Sequence, residues 1–186
     1  APRGLVAGAR APAILYIHGG PHVCYGERLF FEMQWLADAG FAVLYTNPRG
    51  SHSFGEAYST AIHFHWGDPD AGDQLAFADW LAARPEVDPG RMGVAGGSYG
   101  GYMTLALCAA TERFGAAVAQ RGLYNWLPIV GSSDFGFEST KLFGGALPWE
   151  APERYFAHSP LRLVDRVRTP MLVIHNAGDL RVGFEQ

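Results

Sequence analysis

Ser98 stands in the pentapeptide Gly96-Gly97-Ser98-Tyr99-Gly100, between an aliphatic run, RMGVAG (91–96), and a stretch of helical periodicity. A G-x-S-x-G sequence at a strand-to-helix junction is a device for holding a hydroxyl out at the top of a sharp bend. Small residues are needed two places before and two after the serine, because the chain reverses so tightly that side chains there would collide. The hydroxyl then lies at a helix N-terminus, where unsatisfied backbone N–H groups and the helix dipole favour developing negative charge. The plain alternative is a glycine-rich turn with no chemistry. Doubled glycines in the setting of strand, turn and helix favour a nucleophile.

A serine hydroxyl attacks poorly unless a base removes its proton and a third group orients that base. In the chain order that accompanies this bend, serine, acid, histidine, Asp179 comes next. It follows the aliphatic run MLVIHN (171–176), and Ala177-Gly178 before it permit a tight turn. An ordinary turn aspartate is the competing reading. The oxyanion formed on acyl transfer needs two preorganised donors. The backbone N–H of Tyr99 suits the first, and the glycines of His18-Gly19-Gly20-Pro21 would let a second N–H approach the substrate closely. The seven histidines, at 18, 22, 52, 63, 65, 158 and 175, all precede Asp179, against the expected order. His175 reads as a buried structural residue on the strand leading to the aspartate. His63 and His65 could suggest a metal pair, but no cysteine or third ligand stands at a useful spacing, so a packed or solvated loop is preferred and no metal is expected.

Groups so far apart in sequence need a rigid frame. Five short aliphatic runs, AILYIH (13–18), FAVLYT (41–46), RMGVAG (91–96), GAAVAQ (115–120) and MLVIHN (171–176), read as buried strands, each too apolar for a half-solvated sheet. Between them, Leu29, Met33, Leu36 and Ala37 share one helical face before Gly40, and Leu75, Ala78, Leu81 and Ala82 another before Pro85. This alternation predicts an α/β fold, a mostly parallel sheet with helices on both faces and sites at the carboxyl ends of the strands. Ser159-Pro160 reads as an N-cap and first helical residue opening LRLVDRV. Residues 123–149 lack a clean period and read as loops and short helices over the sheet, a cap or substrate-facing region.

The chain suits one domain, 1–186. A net charge of −4 without a run of Lys or Arg argues against nucleic acid as a partner. No apolar run reaches the ~18 residues of a membrane helix, so no membrane partner is expected. Cys24 and Cys108 lie far apart and read as small core residues, which makes a reducing, cytoplasmic compartment the simpler assignment.

Taken in order, IHGGPH, NPRGS, HWGDPD, GGSYGGYM and HNAGDLRV resemble the catalytic domain of the prolyl oligopeptidase family of serine peptidases, closest to its acylaminoacyl-peptidase-like branch. The resemblance implies an α/β-hydrolase fold, incomplete at its C-terminus, with Ser98 as nucleophile and Asp179 orienting a histidine some thirty residues further on. It implies that the N-terminal β-propeller and the His-bearing C-terminal segment lie outside this chain, which alone is expected to be practically inactive. Arg181 would bind a peptide carbonyl, and Val182 would line the S1 pocket with Trp126 and Leu123. Where some relatives carry an oxyanion tyrosine this chain has His18, making Gly20 N–H the second donor and pointing away from the dipeptidyl-peptidase branch. The expected activity is hydrolysis of short or N-acylated peptides with no cofactor. Its partners are then a peptide substrate and the remainder of its own enzyme, and an exposed sheet edge would leave a homo-oligomer open. A carboxylesterase is the rival hydrolase, although its usual loop is HGGG; a noncatalytic binding domain on the same fold is the other.

Overall fold

The computed structural model describes Pro2 and residues 4–186. Five strands, β1 (Ala11–Ile17), β2 (Ala42–Tyr45), β3 (Val87–Gly97), β4 (Ala116–Gln120) and β5 (Met171–Ile174), form a wholly parallel sheet in the order β2-β1-β3-β4-β5. They coincide with the five aliphatic runs. Seven α-helices accompany them: α1 (Phe31–Asp38), α2 (Glu56–Thr60), α3 (Pro69–Ala82), α4 (Tyr99–Ala110), α5 (Ile129–Ser132), α6 (Gly136–Ser139) and α7 (Pro152–Ala157).

Alternation along β1 sorts the core into two faces. Ala13, Leu15 and Ile17 pack with Ala78 and Leu81 of α3 and with Met103 and Leu107 of α4. Tyr16, one residue out of phase, packs with Met33 of α1 and with Ala95. Leu15 and Leu107 are fully buried, and each such side chain contributes roughly 1.5–3 kcal/mol of transfer free energy. Strand order reverses between β1 and β3, so the loops leaving their carboxyl ends diverge and open a crevice there. The loop after β1 carries His18-Gly19-Gly20-Pro21, and the bend after β3 carries Ser98.

Helix α1 ends in a left-handed glycine, Gly40 at φ 98°. Gly40 N–H donates to Ala37 O (3.1 Å) and Phe41 N–H to Leu36 O (3.2 Å), so the last carbonyls are satisfied as the chain turns into β2. The helix starts only at Phe31, so Leu29 does not join its buried face; that side chain is 81% exposed. Residues 160–166 form a 3-10 helix, not an α-helix, and Ser159 does not cap it. Its buried Oγ instead accepts from Trp126 N–H (2.9 Å) and donates to Tyr155 O (2.9 Å), tying residues 123–149 to the segment behind them. Residues 123–149 hold α5, α6 and a 3-10 turn (Thr140–Phe143), as short helices and loops were expected.

Three buried assignments need correction. Cys24 is exposed in the loop after β1, whereas Cys108 is buried in α4. Within the described residues strand β5 is open on one side: Leu172, Val173 and Ile174 are 58%, 51% and 44% exposed, because only β4 pairs with it there. His175 lies just past the end of β5 and is half-buried, its Nε2–H donating to Val182 O at 2.8 Å. Among the described residues no helix is long and apolar enough to cross a membrane.

Candidate active site

Backbone geometry alone sets Ser98 apart. It has φ 58° and ψ −122°, a region that a side-chain-bearing residue occupies only when its surroundings impose it, at a cost of roughly 1–3 kcal/mol. The surroundings do so from both flanks. A Cβ on Gly96 would lie 2.6 Å from Gly100 O, and one on Gly100 would lie 2.2 Å from Ile17 O. Both contacts are with backbone, which cannot move aside. Gly101, outside the pentapeptide, is bound by the same constraint, since its Cβ would meet Gly122 Cα at 2.7 Å. Ser98 N–H donates to Gln120 O of β4 (2.9 Å), and Ser98 O accepts from Gly101 N–H (2.9 Å) and Tyr102 N–H (3.0 Å) of α4. The side chain is half-exposed and makes no capping bond to its own helix.

The loop after β1 lies directly against Ser98. A Cβ on Gly19 would sit 3.2 Å from Ser98 Cβ and 3.8 Å from its Oγ. His18 anchors this loop from below. A carbonyl can only accept, so His18 Nδ1–H donates to Gly19 O (2.6 Å), and Nε2 therefore accepts from Ser51 Oγ–H (3.0 Å). Burial lowers the His18 pKa, keeping the ring neutral and bound in place. Gly20, at φ 110°, and Pro21 then turn the chain along the crevice wall.

Asp179 occupies the turn after β5. Its Oδ1 accepts from Arg181 N–H (2.9 Å) and Val182 N–H (3.0 Å), and its own N–H donates to Asn176 O (3.1 Å). This turn is stitched to the segment over the sheet: Asp134 N–H donates to Leu180 O (2.9 Å) and Ser133 Oγ–H to Arg181 O (2.6 Å). The Arg181 guanidinium forks onto Asp134, with Nη2 at 3.2 Å from Oδ2, and covers the Phe135 ring at 5.5 Å. That cation holds the Asp134 carboxyl below the usual carboxylate range.

A cavity of about 380 Å³ brings the candidates together, lined by Gly20, Ser98, Tyr99, Leu123, Trp126, Arg181 and Val182. Asp179 is not part of its wall; it joins the site through the N–H groups of the two residues that are. Pro21 also lines it, as do Trp66, His22, Phe135 and Leu142, four residues that no spacing in the sequence marked. A larger cavity, about 430 Å³, lies across the sheet among Ile14, Gly93 and Val118; none of the groups with candidate chemistry reaches it, so chemistry and not size identifies the site.

Behind the site, Tyr99 is buried and its hydroxyl donates to Oδ2 of Asp70 (2.7 Å), a wholly buried carboxylate in the first turn of α3. Burial pushes the Asp70 pKa up to about 6. The residue belongs to HWGDPD, a segment whose only sequence signal was its place among the quoted motifs.

Among the described residues no histidine is hydrogen-bonded to Ser98 or Asp179. His22 donates through Nδ1–H to Gly50 O (2.9 Å) and stacks on His52 at 5.4 Å, His63 lies against Trp66 at 6.3 Å, and His158 Nδ1–H donates to Trp66 O (3.2 Å). His65 is exposed. Within the described residues, then, a hydroxyl and a glycine loop line one largely apolar pocket, and a carboxylate is bound to the backbone of two residues of its wall.

Comparison with known proteins agrees with this geometry. The chain is 43% identical over 176 residues to an uncharacterized peptidase, YuxL, of Bacillus subtilis, covering 94% of this chain and 27% of that protein. It is 32% identical over 190 residues to dipeptidyl-peptidase 5 of Porphyromonas endodontalis, covering 97% and 27%. A solved acylaminoacyl peptidase, in complex with Z-Gly-Gly-Phe-chloromethyl ketone, superposes on all of the chain with a TM-score of 0.92 at 34% identity, and the chain covers 30% of that structure. The residues thus span about a quarter to a third of the proteins they match, and form part of an α/β-hydrolase fold. A model of the prolyl oligopeptidase family matches residues 27–186. With most of its length inside that match, the chain belongs to the prolyl oligopeptidase family.

Proposed function

We propose that these residues form part of the catalytic domain of a serine peptidase that hydrolyses short or N-acylated peptides through an acyl-enzyme. Ser98 Oγ attacks the scissile carbonyl, and a histidine supplied from outside these 186 residues accepts its proton and passes it to the leaving amine. Asp179 orients that histidine. The N–H groups of Tyr99 and Gly20 receive the oxyanion, Arg181 holds a substrate carbonyl, and Leu123, Trp126 and Val182 surround the side chain on the acyl side of the cleaved bond. The cycle needs no cofactor.

One observation carries the reading: a half-exposed serine held at φ 58° with the backbone of Gly19 packed against it. The serine's ψ of −122° takes it outside the left-handed helical region that a side-chain-bearing turn residue with positive φ ordinarily adopts, which supports a strained, functional bend. The apolar pocket beside it suits an aromatic side chain such as that of the phenylalanyl ligand bound to the similar acylaminoacyl peptidase. The similarity to a dipeptidyl-peptidase supports short peptides equally well, so the preference between blocked and free N-termini is settled by measurement. A β-propeller preceding this domain and a cytoplasmic location suggested by two unpaired cysteines belong to the same proposal. The carboxylesterase reading fits less well, because Pro21 replaces the third glycine of its usual loop.

The test is turnover by the intact polypeptide of matched N-acetyl and free aminoacyl amides and of an ester with the same acyl group. The proposal expects amide hydrolysis, lost on Ser98→Ala and on Asp179→Ala. Ester turnover with no amide turnover would favour the esterase, and no turnover of either would favour a binding domain.

A further inference from the structure

Asp70 is the one wholly buried carboxylate beside the elbow, and the chemistry proposed for the site does not use it. Taking a carboxylate out of water without a cationic partner costs several kcal/mol. The neighbouring cation, Arg49, does not offset that cost directly: its guanidinium is forked onto Asp73, with Nε at 2.9 Å from Oδ2 and Nη2 at 2.7 Å from Oδ1, and also donates to Pro69 O. Asp70 is held instead by uncharged donors, Gly67 N–H at 3.1 Å from Oδ1 and the Tyr99 hydroxyl at 2.7 Å from Oδ2. A buried charge retained at such a cost beside a reactive group is a sign of a functional task.

Tyr99 links the two. Its ring is stacked on Tyr102 (centroids 4.8 Å apart, planes 11° apart) and meets the edge of Trp66 at 5.7 Å. Tyr102 is fixed in turn, its hydroxyl donating to Trp66 O at 3.0 Å. One end of Tyr99 is therefore clamped deep in the protein, while its backbone is the first residue after a serine in a strained conformation. Close glycine contacts at Gly96 and Gly100 hold the strain on both flanks of Ser98, and the anchored ring of Tyr99, between Ser98 and Gly100, adds a further restraint.

Resting on the peptidase reading above, we infer that Asp70 is a positioning residue for catalysis: its buried carboxylate anchors the Tyr99 ring and so keeps the Tyr99 backbone N–H aimed at the oxyanion. Asp70 touches no substrate. Its effect passes through one hydroxyl, and this distinguishes it from a residue that merely fills space in the core.

A double-mutant cycle in the intact polypeptide tests this, using Asp70→Asn, Tyr99→Phe and the pair, with Tyr102→Phe as a control for loss of a neighbouring buried phenol. Steady-state kinetics on an amide substrate is the readout. Each single change is expected to lower kcat about tenfold with KM within about twofold, less than the hundred- to thousandfold loss that follows removal of an oxyanion donor outright. The double variant should be no slower than the worse single one, because both remove the same link. Tyr102→Phe, whose lost hydroxyl holds Trp66 O and not the carboxylate, should lower kcat by less than either single change, and its loss should multiply with that of Asp70→Asn. Unchanged kcat in Tyr99→Phe, multiplied losses near a hundredfold in the pair, or losses confined to KM would each overturn the inference. Where Asp70→Asn fails to fold, Tyr99→Phe alone decides, since it removes a single oxygen. Phosphonate labelling of the wild-type protein separates the two levels: labelling at Ser98 with multiplied losses rejects only the role of Asp70, whereas no labelling at Ser98 rejects the peptidase reading and this inference with it.

Discussion

The same substitution at two helical glycines should have opposite effects. Gly72, exposed in α3, has nothing within 4 Å of where a Cβ would sit. Alanine there gains helix propensity and loses no contact, so Gly72→Ala should stabilise the protein by about 0.5–1 kcal/mol. Gly100 lies in the first turn of α4, and a Cβ there would stand 2.2 Å from Ile17 O and 3.0 Å from His18 O. Ordinary contact begins at 3.4 Å, so the end of β1 must retreat by roughly 1 Å or the start of α4 must tilt away. Overpacking of this kind costs about 1–3 kcal/mol, which outweighs the propensity gain. The displaced segment is the loop of Gly19 and Gly20, so the proposed oxyanion donor and nucleophile would separate by a comparable amount, enough to slow turnover by about a hundredfold. Denaturant midpoints and kcat for both variants provide the check. A Gly100→Ala protein as stable as wild type and within twofold of its activity would refute the steric reasoning.

Other consequences can be measured independently. Cys24 is exposed and Cys108 buried, with burial pushing the Cys108 thiol up to about 11; a maleimide should modify one cysteine per folded chain, at Cys24, and two only after unfolding. The Asp70 carboxyl, pushed up to about 6 by burial from an ordinary 3.8, binds its proton more tightly when folded than when unfolded. The contribution of Asp70 to folding should therefore become more favourable as pH falls from 7 through 6 towards 4, by up to about 3 kcal/mol, against the opposing contribution of the histidines whose pKa burial lowers, His18 first among them. The groups facing Asp70, Tyr99 and Tyr102, stay neutral throughout, and Arg49 stays charged. Asp70→Asn should remove this gain, and a stability difference between variant and wild type that is constant over that range would contradict the assignment. Ser159→Ala strands the buried Trp126 N–H, so it should destabilise by about 1–3 kcal/mol in denaturant unfolding.

The sheet was legible in the sequence because each strand is a short aliphatic run bounded by Gly, Pro or polar residues, and because those runs alternate with helical periods. Exposure was less legible. The run at 171–176 is as apolar as the others, yet within the described residues only β4 pairs with β5 and its side chains at 172–174 are exposed. The bend at Ser98 could be read locally, since steric demands two residues either side are written as glycines. Gly101 and Gly19 answer equally strict demands, but their neighbours, Gly122 and Ser98, are distant in sequence. Ser159 shows the converse error. Its Ser-Pro pair has the form of a helix cap, but a long-range bond to Trp126 takes up the hydroxyl. Asp70 escaped notice because a first-turn aspartate is ordinarily an exposed charge at a helix N-terminus; only the fold places it beneath Tyr99.

The most direct test of the account is the site of covalent labelling by an organophosphonate probe, read by peptide mass spectrometry on the intact polypeptide and on the isolated 186 residues. The account predicts modification of the intact polypeptide at Ser98, abolished by Ser98→Ala, and labelling of the isolated chain slowed by several orders of magnitude for want of a base. Modification at any other residue, or equally fast labelling of the isolated chain, would contradict it.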